Sequence, residues 1–199
     1  LNVKHVTAGF DYSYGRFGKG DMESLPGHSK GCFGVTVIRQ VSLDEEKVSS
    51  TRIRQALANG DVEGFLHLTG RHYTTRGEVV HGAKRGRTIG FPTANVALAD
   101  DRIIPATGVY AVKASVSGET YEGVCNVGYK PTFYDEKAGK PSVEVYLFHF
   151  DREIYGEELT IEWIIRLRSE RKFNGADELI KQILKDKEAA QLYFEEKQR

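Results

Sequence analysis

The stretch GVYAVKASVSGETYEGVCNVG, residues 108–128, does most to limit the folds open to this chain. Tyr110, Val112, Ala114 and Val116 recur with period two and so share one face of a strand. Ser117-Gly118 then turns the chain back into ETYEGVCNVG, as a hairpin requires. Strand signals also occur in TTRGEVVHG, SVEVYLFHF and LTIEWIIRL, the last with Leu159, Ile161, Trp163, Ile165 and Leu167 on one side. Five or more strands in about 100 residues, joined by short turns, predict a small antiparallel barrel. A closing helix carries Leu179, Ile180, Ile183 and Leu184 as an apolar stripe. Ala189, Leu192 and Tyr193 continue it after Asp186, and the stripe is expected to pack on the core.

Before Thr69 the pattern differs. Residues 1–48 are glycine-rich, with VKHVTAGF read as a buried strand and GCFGVTVIRQV as a second strand. GRFGKGDMESLPGHSKG between them reads as a loop by composition. In VSSTRIRQALANGDVEGFLHL, Ser49, Ser50 or Thr51 can cap a helix bearing Ile53 and Leu57, which Asn59-Gly60 ends. Asp61 starts a second helix with Phe65 and Leu68 on one side. This order predicts the tail of an α/β domain over 1–69 and a separate barrel domain over 70–199.

Lys+Arg and Asp+Glu balance at 28 each, which argues against a general nucleic-acid or membrane-surface binder. No run is long enough to cross a bilayer and no signal-peptide pattern is present, so a cytoplasmic protein is expected. Cys32 and Cys125, far apart and without metal-ligand spacing, are expected to be reduced thiols.

HGAKRGRTIGFPTAN, residues 81–95, is the most chemically suggestive segment. Gly82, Gly86 and Gly90 would let backbone N–H groups approach an anion, and Lys84, Arg85 and Arg87 bring positive charge. Neither the Walker A pattern nor GxGxxG opening a helix is present. Pro92 biases the next residues to extended structure, so Thr93 and Asn95 would project to one side, each with a neutral oxygen. That pair suits Mg²⁺ carried by a nucleotide, whose phosphates supply the remaining ligands. The alternative reading is a basic hairpin loop with a Pro-Thr turn, which the appended PTAN disfavours.

Glu144 shares a face with Tyr146, Phe148 and Phe150 by alternation. A carboxylate there is either an exposed edge-strand residue or a functional group in an apolar setting. LRSERKF, read alone, is a charged loop capping a strand.

GAKRGRTIGFPTANV resembles the flavokinase (riboflavin kinase) signature. GVYAV, NVGYKPTF, SVEVYLFHFDREIYG, LRSERKF and ELIKQILKD follow in the order seen in bacterial bifunctional riboflavin kinase/FMN adenylyltransferases, the FAD synthetases. The resemblance covers about residues 70–190. It implies a six-stranded Greek-key antiparallel barrel with a C-terminal helix, preceded by an incomplete α/β nucleotidyltransferase remnant. It implies Mg²⁺-dependent transfer of the ATP γ-phosphoryl group to riboflavin, giving FMN and ADP, with Glu144 as base and Thr93 and Asn95 as metal ligands. On the ATP side it marks Gly82, Arg87, Gly90, Thr93, Leu147, His149 and Tyr155; on the flavin side, Arg168, Arg171 and Phe173. The glycine loop and VGYKPTFYDEKAGKPS are candidate lids.

AGFDYSYGRFGKGD, with Gly9, Phe10 and Asp11, and VSSTRIRQAL, with Ser49, Ser50, Thr51 and Arg52, resemble the end of the FMN adenylyltransferase domain. The superfamily's paired-histidine segment does not occur among His5, His28, His67, His72, His81 and His149. The expectation is therefore a truncated piece of a bifunctional enzyme that keeps the kinase and loses the adenylyltransferase. The competing readings are residual FAD formation and a flavin- or nucleotide-binding barrel without catalysis.

Overall fold

In the computed structural model the described residues are 2–43, 45–82, 85–99, 102–129 and 141–197. They form two compact units, Leu1–Ser49 and Ser50–Arg199. In the first, β1 (His5–Gly9) and β2 (Gly34–Ile38) pair in parallel, His5 opposite Gly34 and Gly9 opposite Ile38. Between them lies α1 (Leu25–Ser29). Asp21 and Ser24 lead into it reciprocally: Ser24 N–H donates to Asp21 Oδ1 at 2.8 Å, and Asp21 N–H to Ser24 Oγ at 3.1 Å. The loop expected here thus contains a helix, and Met22 and Leu25 in this stretch are buried. β1, expected to be buried, has no fully buried residue: His5 and Thr7 are exposed, and Val6, Ala8 and Gly9 are half-buried. Glycine and proline counts misled because Pro26 sits in the helix's first turn, where a missing N–H costs nothing. A short hairpin, β3 (Ser42–Leu43) with β4 (Glu46–Lys47), ends the unit.

The second unit opens with α2 (Ser50–Asn59) and α3 (Val62–Thr69). Gly60, at φ +74°, makes the turn between them, and the Asp61 carboxylate accepts the Gly64 N–H at 2.8 Å as the cap of α3. Leu57, Val62 and Phe65 join the main core of the barrel. The compact-unit boundary therefore puts both helices with the barrel, twenty residues before the change in sequence character at 69/70.

The barrel follows: β5 (Tyr73–Val80), a helical turn α4 (Arg85–Thr88), β6 (Ala94–Leu98), β7 (Gly108–Val116), β8 (Glu119–Gly128), β9 (Ser142–Leu147) and β10 (Glu158–Ser169). The six strands close in the order β10-β5-β6-β9-β8-β7 with every pair antiparallel, the Greek-key barrel that was expected. Ser117 and Gly118 both take positive φ, 51° and 84°, which matches a two-residue hairpin turn to strand twist. Tyr110, Val112, Ala114 and Val116 do point inward together, against Val127, Val145, Leu159, Ile161 and Trp163. The buried indole Nε1–H donates to Thr75 Oγ1 at 3.0 Å, so neither polar atom is stranded inside.

A second apolar layer lies outside the barrel, where Ala111, Phe148 and Ile164 meet Ala190 and Phe194 of α5 (Ala176–Lys197). It corrects three expectations. The pairing of β10 with β7 shifts register between Trp163 and Ile165, so Ile165 and Leu167 leave the inward row and pack in the outer layer. Phe150 does not stay with Glu144: β9 ends at Leu147, His149 takes φ 54°, and Phe150 packs against the inner core. On α5 the buried face is Asp186, Ala190 and Phe194, whereas Leu184 and Leu192 are 51% and 54% exposed.

Tyr110 gives the barrel a pH-dependent element. Its hydroxyl donates to the Ala106 carbonyl, and burial pushes the phenol up to about 12 against the opposing pull of Arg166. Unfolded, it titrates near about 10. Between those values the folded chain holds the extra proton, so the Tyr110 contribution is complete below about pH 10 and lost as pH rises through about 12. The thermal midpoint of the wild-type protein is expected to fall more steeply over that window than that of Tyr110→Phe. Parallel declines would assign the loss to other groups.

Candidate active site

Register brings together two residues that sequence spacing keeps apart. Asn95 on β6 lies directly opposite Glu144 on β9, and Glu144 lies directly opposite Asn126 on β8. Opposed residues project from the same face of a sheet, so amide, carboxylate and amide form a row across three strands. Val143 and Val145, flanking Glu144, are inward and buried, which sets the row on the outer face. Among the described residues no hydrogen bond or ion pair engages the Glu144 carboxylate. Its charge is felt beneath it: the buried Cys125 thiol is raised first by desolvation and next by Glu144. Cys125 and Cys32 are both free thiols, and the raised pKa makes Cys125 a poor nucleophile.

The glycine loop closes onto this row. A Cβ added to Gly82 would lie 2.2 Å from Asn95 Nδ2 and 2.4 Å from its Oδ1, so only glycine lets the Asn95 amide lie against the chain there. A Cβ at Gly86 would lie 2.3 Å from the Phe91 carbonyl oxygen and 3.4 Å from Thr93 Oγ1. Thr93 and Asn95 thus reach the same loop at Gly86 and Gly82. Inside it, Phe91 N–H donates to the Gly86 carbonyl at 2.8 Å, Ile89 N–H to the same oxygen at 3.2 Å, and Gly90 N–H to Arg87 at 3.4 Å. Those three amides are therefore already bonded and form no open anion nest in this conformation. Gly90 takes φ 84° and makes the turn into the PTAN segment. Lys84 lies outside the described residues, as does most of the second candidate lid, from Lys130 to Lys140.

At the barrel mouth a cleft of about 400 Å³ is lined by Arg87, Thr93, Leu147 and Tyr155, four of the residues marked for the ATP side. Sequence reasoning missed Asp151 and Glu153 on its wall. Arg87 Nη1 meets Glu153 Oε1 at 3.3 Å. Both side chains are well exposed, so the pair is worth about 0–1 kcal/mol and a phosphate can displace it. The His81 and Tyr155 rings lie 4.0 Å apart between centroids. His149 is exposed on the turn after β9.

The residues marked for the flavin side are held by α5. Arg168 donates from Nε to Asp186 Oδ1 and Oδ2 at 2.9 and 3.1 Å and from Nη2 to Oδ2 at 2.8 Å. Arg171 Nη2 meets Glu178 Oε1 at 3.3 Å, and its guanidinium lies 4.7 Å from the centre of the Phe173 ring. Asp186 was visible in the sequence only as an acid interrupting an apolar stripe; its partner on β10 was not.

The fold is a closed six-stranded antiparallel barrel with a C-terminal helix, and its glycine loop lies against Asn95 of the Asn95–Glu144 pair. The chain belongs to the riboflavin kinase family: the Flavokinase model, described as riboflavin kinase, matches residues 69–194. A second model, described as FAD synthetase, matches residues 1–52. The chain is 56% identical over 194 residues to the bifunctional riboflavin kinase/FMN adenylyltransferase of Bacillus subtilis and 50% identical to that of Listeria monocytogenes. Each alignment covers 98% of this chain and 61% of the relative, so the chain spans about three fifths of the length of these curated relatives. A crystal structure described as a macrolide-efflux protein from Streptococcus pneumoniae superposes with a TM-score of 0.82 at 39% identity, covering 92% of this chain and 58% of that one. Among the described residues no helix is long and apolar enough to cross a membrane.

Proposed function

We propose that this chain transfers the γ-phosphoryl group of ATP to the 5′-hydroxyl of riboflavin, giving FMN and ADP, and that residues 70–199 carry the reaction. Residues 1–69 are, in this reading, an FMN-adenylyltransferase-type region whose last two helices, α2 and α3, pack on the barrel core. The observation that carries it is the opposition of Asn95 and Glu144 across β6 and β9, with the glycine loop closed on Asn95.

Glu144 accepts the proton of the ribityl hydroxyl as that oxygen attacks the γ-phosphorus and ADP leaves. Arg87 turns from Glu153 to the triphosphate, while Leu147 and Tyr155 supply the apolar wall of the cleft. The Thr93 and Asn95 side chains fit Mg²⁺: both end in neutral oxygens, and both lie against the glycine loop in spaces that a Cβ would fill. They would hold the ion delivered with the nucleotide, and when bound it neutralises charge on the phosphate oxygens. Arg168, Arg171 and Phe173 form the flavin side, where the Phe173 ring covers the isoalloxazine and Arg171 stacks on the phenyl ring. Most of the rate enhancement then comes from positioning and fixed charge.

Asn95→Ala tests the metal assignment. Affinity for Mg–ATP is expected to fall at least about tenfold, the loss expected for one contact to a charged group. Riboflavin binding without metal is expected to stay within about twofold. Equal losses for both ligands, measured by calorimetry, would contradict the assignment.

A further inference from the structure

Asn126 is a strand-disfavoured residue at an exposed position between two fully buried ones, Cys125 and Val127. It lies opposite Glu144 on β9 and opposite Val109 on β7. Directly opposed side chains in an antiparallel pair have Cβ atoms about 4.5–5.5 Å apart, which sets the Asn126 amide beside the Glu144 carboxylate. The amide also reaches the segment after β10. A Cβ added to Gly128 would lie 3.3 Å from Asn126 Nδ2 and 2.5 Å from Glu170 Oε1, so both groups border one small space. The row therefore has two ends. Asn95 meets the glycine loop at Gly82, and Asn126 meets the segment that carries Arg171 and Phe173.

With the phosphoryl donor at the first end and the flavin ring at the second, the chain joining ring to reacting hydroxyl must cross between them. We infer that Asn126 binds the hydroxylated chain of the acceptor, next to the hydroxyl that Glu144 deprotonates; this rests on the riboflavin kinase reading above. The chemistry matches. A chain hydroxyl both donates and accepts, and a carboxamide offers both functions in one group. A second carboxylate at this position would face Glu144 as a like charge and repel it, and an apolar residue would leave the hydroxyls unpaired. Exposure on the outer face lets the ligand arrive without opening the barrel.

Steady-state kinetics of Asn126→Ala and Asn126→Ser, with riboflavin binding followed by flavin fluorescence, test the inference. For Asn126→Ala the riboflavin KM and Kd are expected to rise about tenfold, the size of one lost hydrogen bond, with the ATP KM within about twofold. Asn126→Ser, which keeps a donor and acceptor, is expected between Ala and wild type. Wild-type riboflavin affinity in both variants would overturn the inference. So would a loss confined to kcat, which would make Asn126 a group that only orients Glu144. Absence of FMN formation by the wild-type protein would instead overturn the kinase reading itself, so the two failures are distinguishable.

Discussion

Glu144→Gln is expected to lower the rate of FMN formation roughly a thousandfold, within the range that a positioned general base contributes. The substitution keeps shape and removes the proton acceptor. Glu144 projects from the outer face while its neighbours Val143 and Val145 fill the core, so the variant should fold with an unchanged thermal midpoint. Asn95 and Thr93 are untouched, and the KM for Mg–ATP should stay within about twofold of wild type, because the lost interaction acts on the reacting hydroxyl rather than on the nucleotide. Initial rates at saturating ATP and riboflavin measure the effect. An unchanged turnover number would remove Glu144 from the reaction and leave the row of Asn95, Glu144 and Asn126 without its central function.

The second large effect is on stability. Asp186 is only 5% exposed, and its carboxylate is matched by three hydrogen bonds from Arg168 and one from Gln182 Nε2 at 2.7 Å. Arg168→Met leaves that carboxylate buried with only the Gln182 amide. Removing one partner of a buried pair costs about 3 kcal/mol, because the remaining charge is no longer compensated. Denaturant unfolding of Arg168→Met should show that loss. The double variant Arg168→Met/Asp186→Leu should recover most of it, since replacing both partners by apolar groups removes the uncompensated charge. A double variant no more stable than the single one would mean that the pair is not what secures α5 to β10. The same pair links stability to the proposed flavin side, because Arg168 opens the segment leading to Arg171 and Phe173.

The inward row of β7 was legible from period-two spacing alone, and the Ser117-Gly118 turn from the preference of such turns for positive φ. The face switch in β10 was not, since a bulge between Trp163 and Ile165 leaves no residue signature in an unbroken apolar run. The buried face of α5 was misjudged for a related reason. Hydrophobicity alone points to the stripe, but the buried face centres on Asp186, whose burial makes sense only with Arg168 on another element. In the proposed site, Thr93 and Asn95 could be paired from the sequence because Pro-Thr-Ala-Asn is contiguous. The opposition of Asn95 and Glu144 was not, because strand register is a tertiary property. Asn126 did carry a signal, an amide in the middle of a strand, but without Glu144 as its neighbour that signal had no chemical meaning.

Phosphoryl transfer to riboflavin is measured with ATP labelled at its γ-phosphorus, incubated with the protein, Mg²⁺ and riboflavin, with flavins then separated by chromatography. Label is expected in FMN, in one-to-one ratio with ADP formed, with both products lost in Glu144→Gln. Label released only as inorganic phosphate, or riboflavin left unmodified, would contradict the transfer.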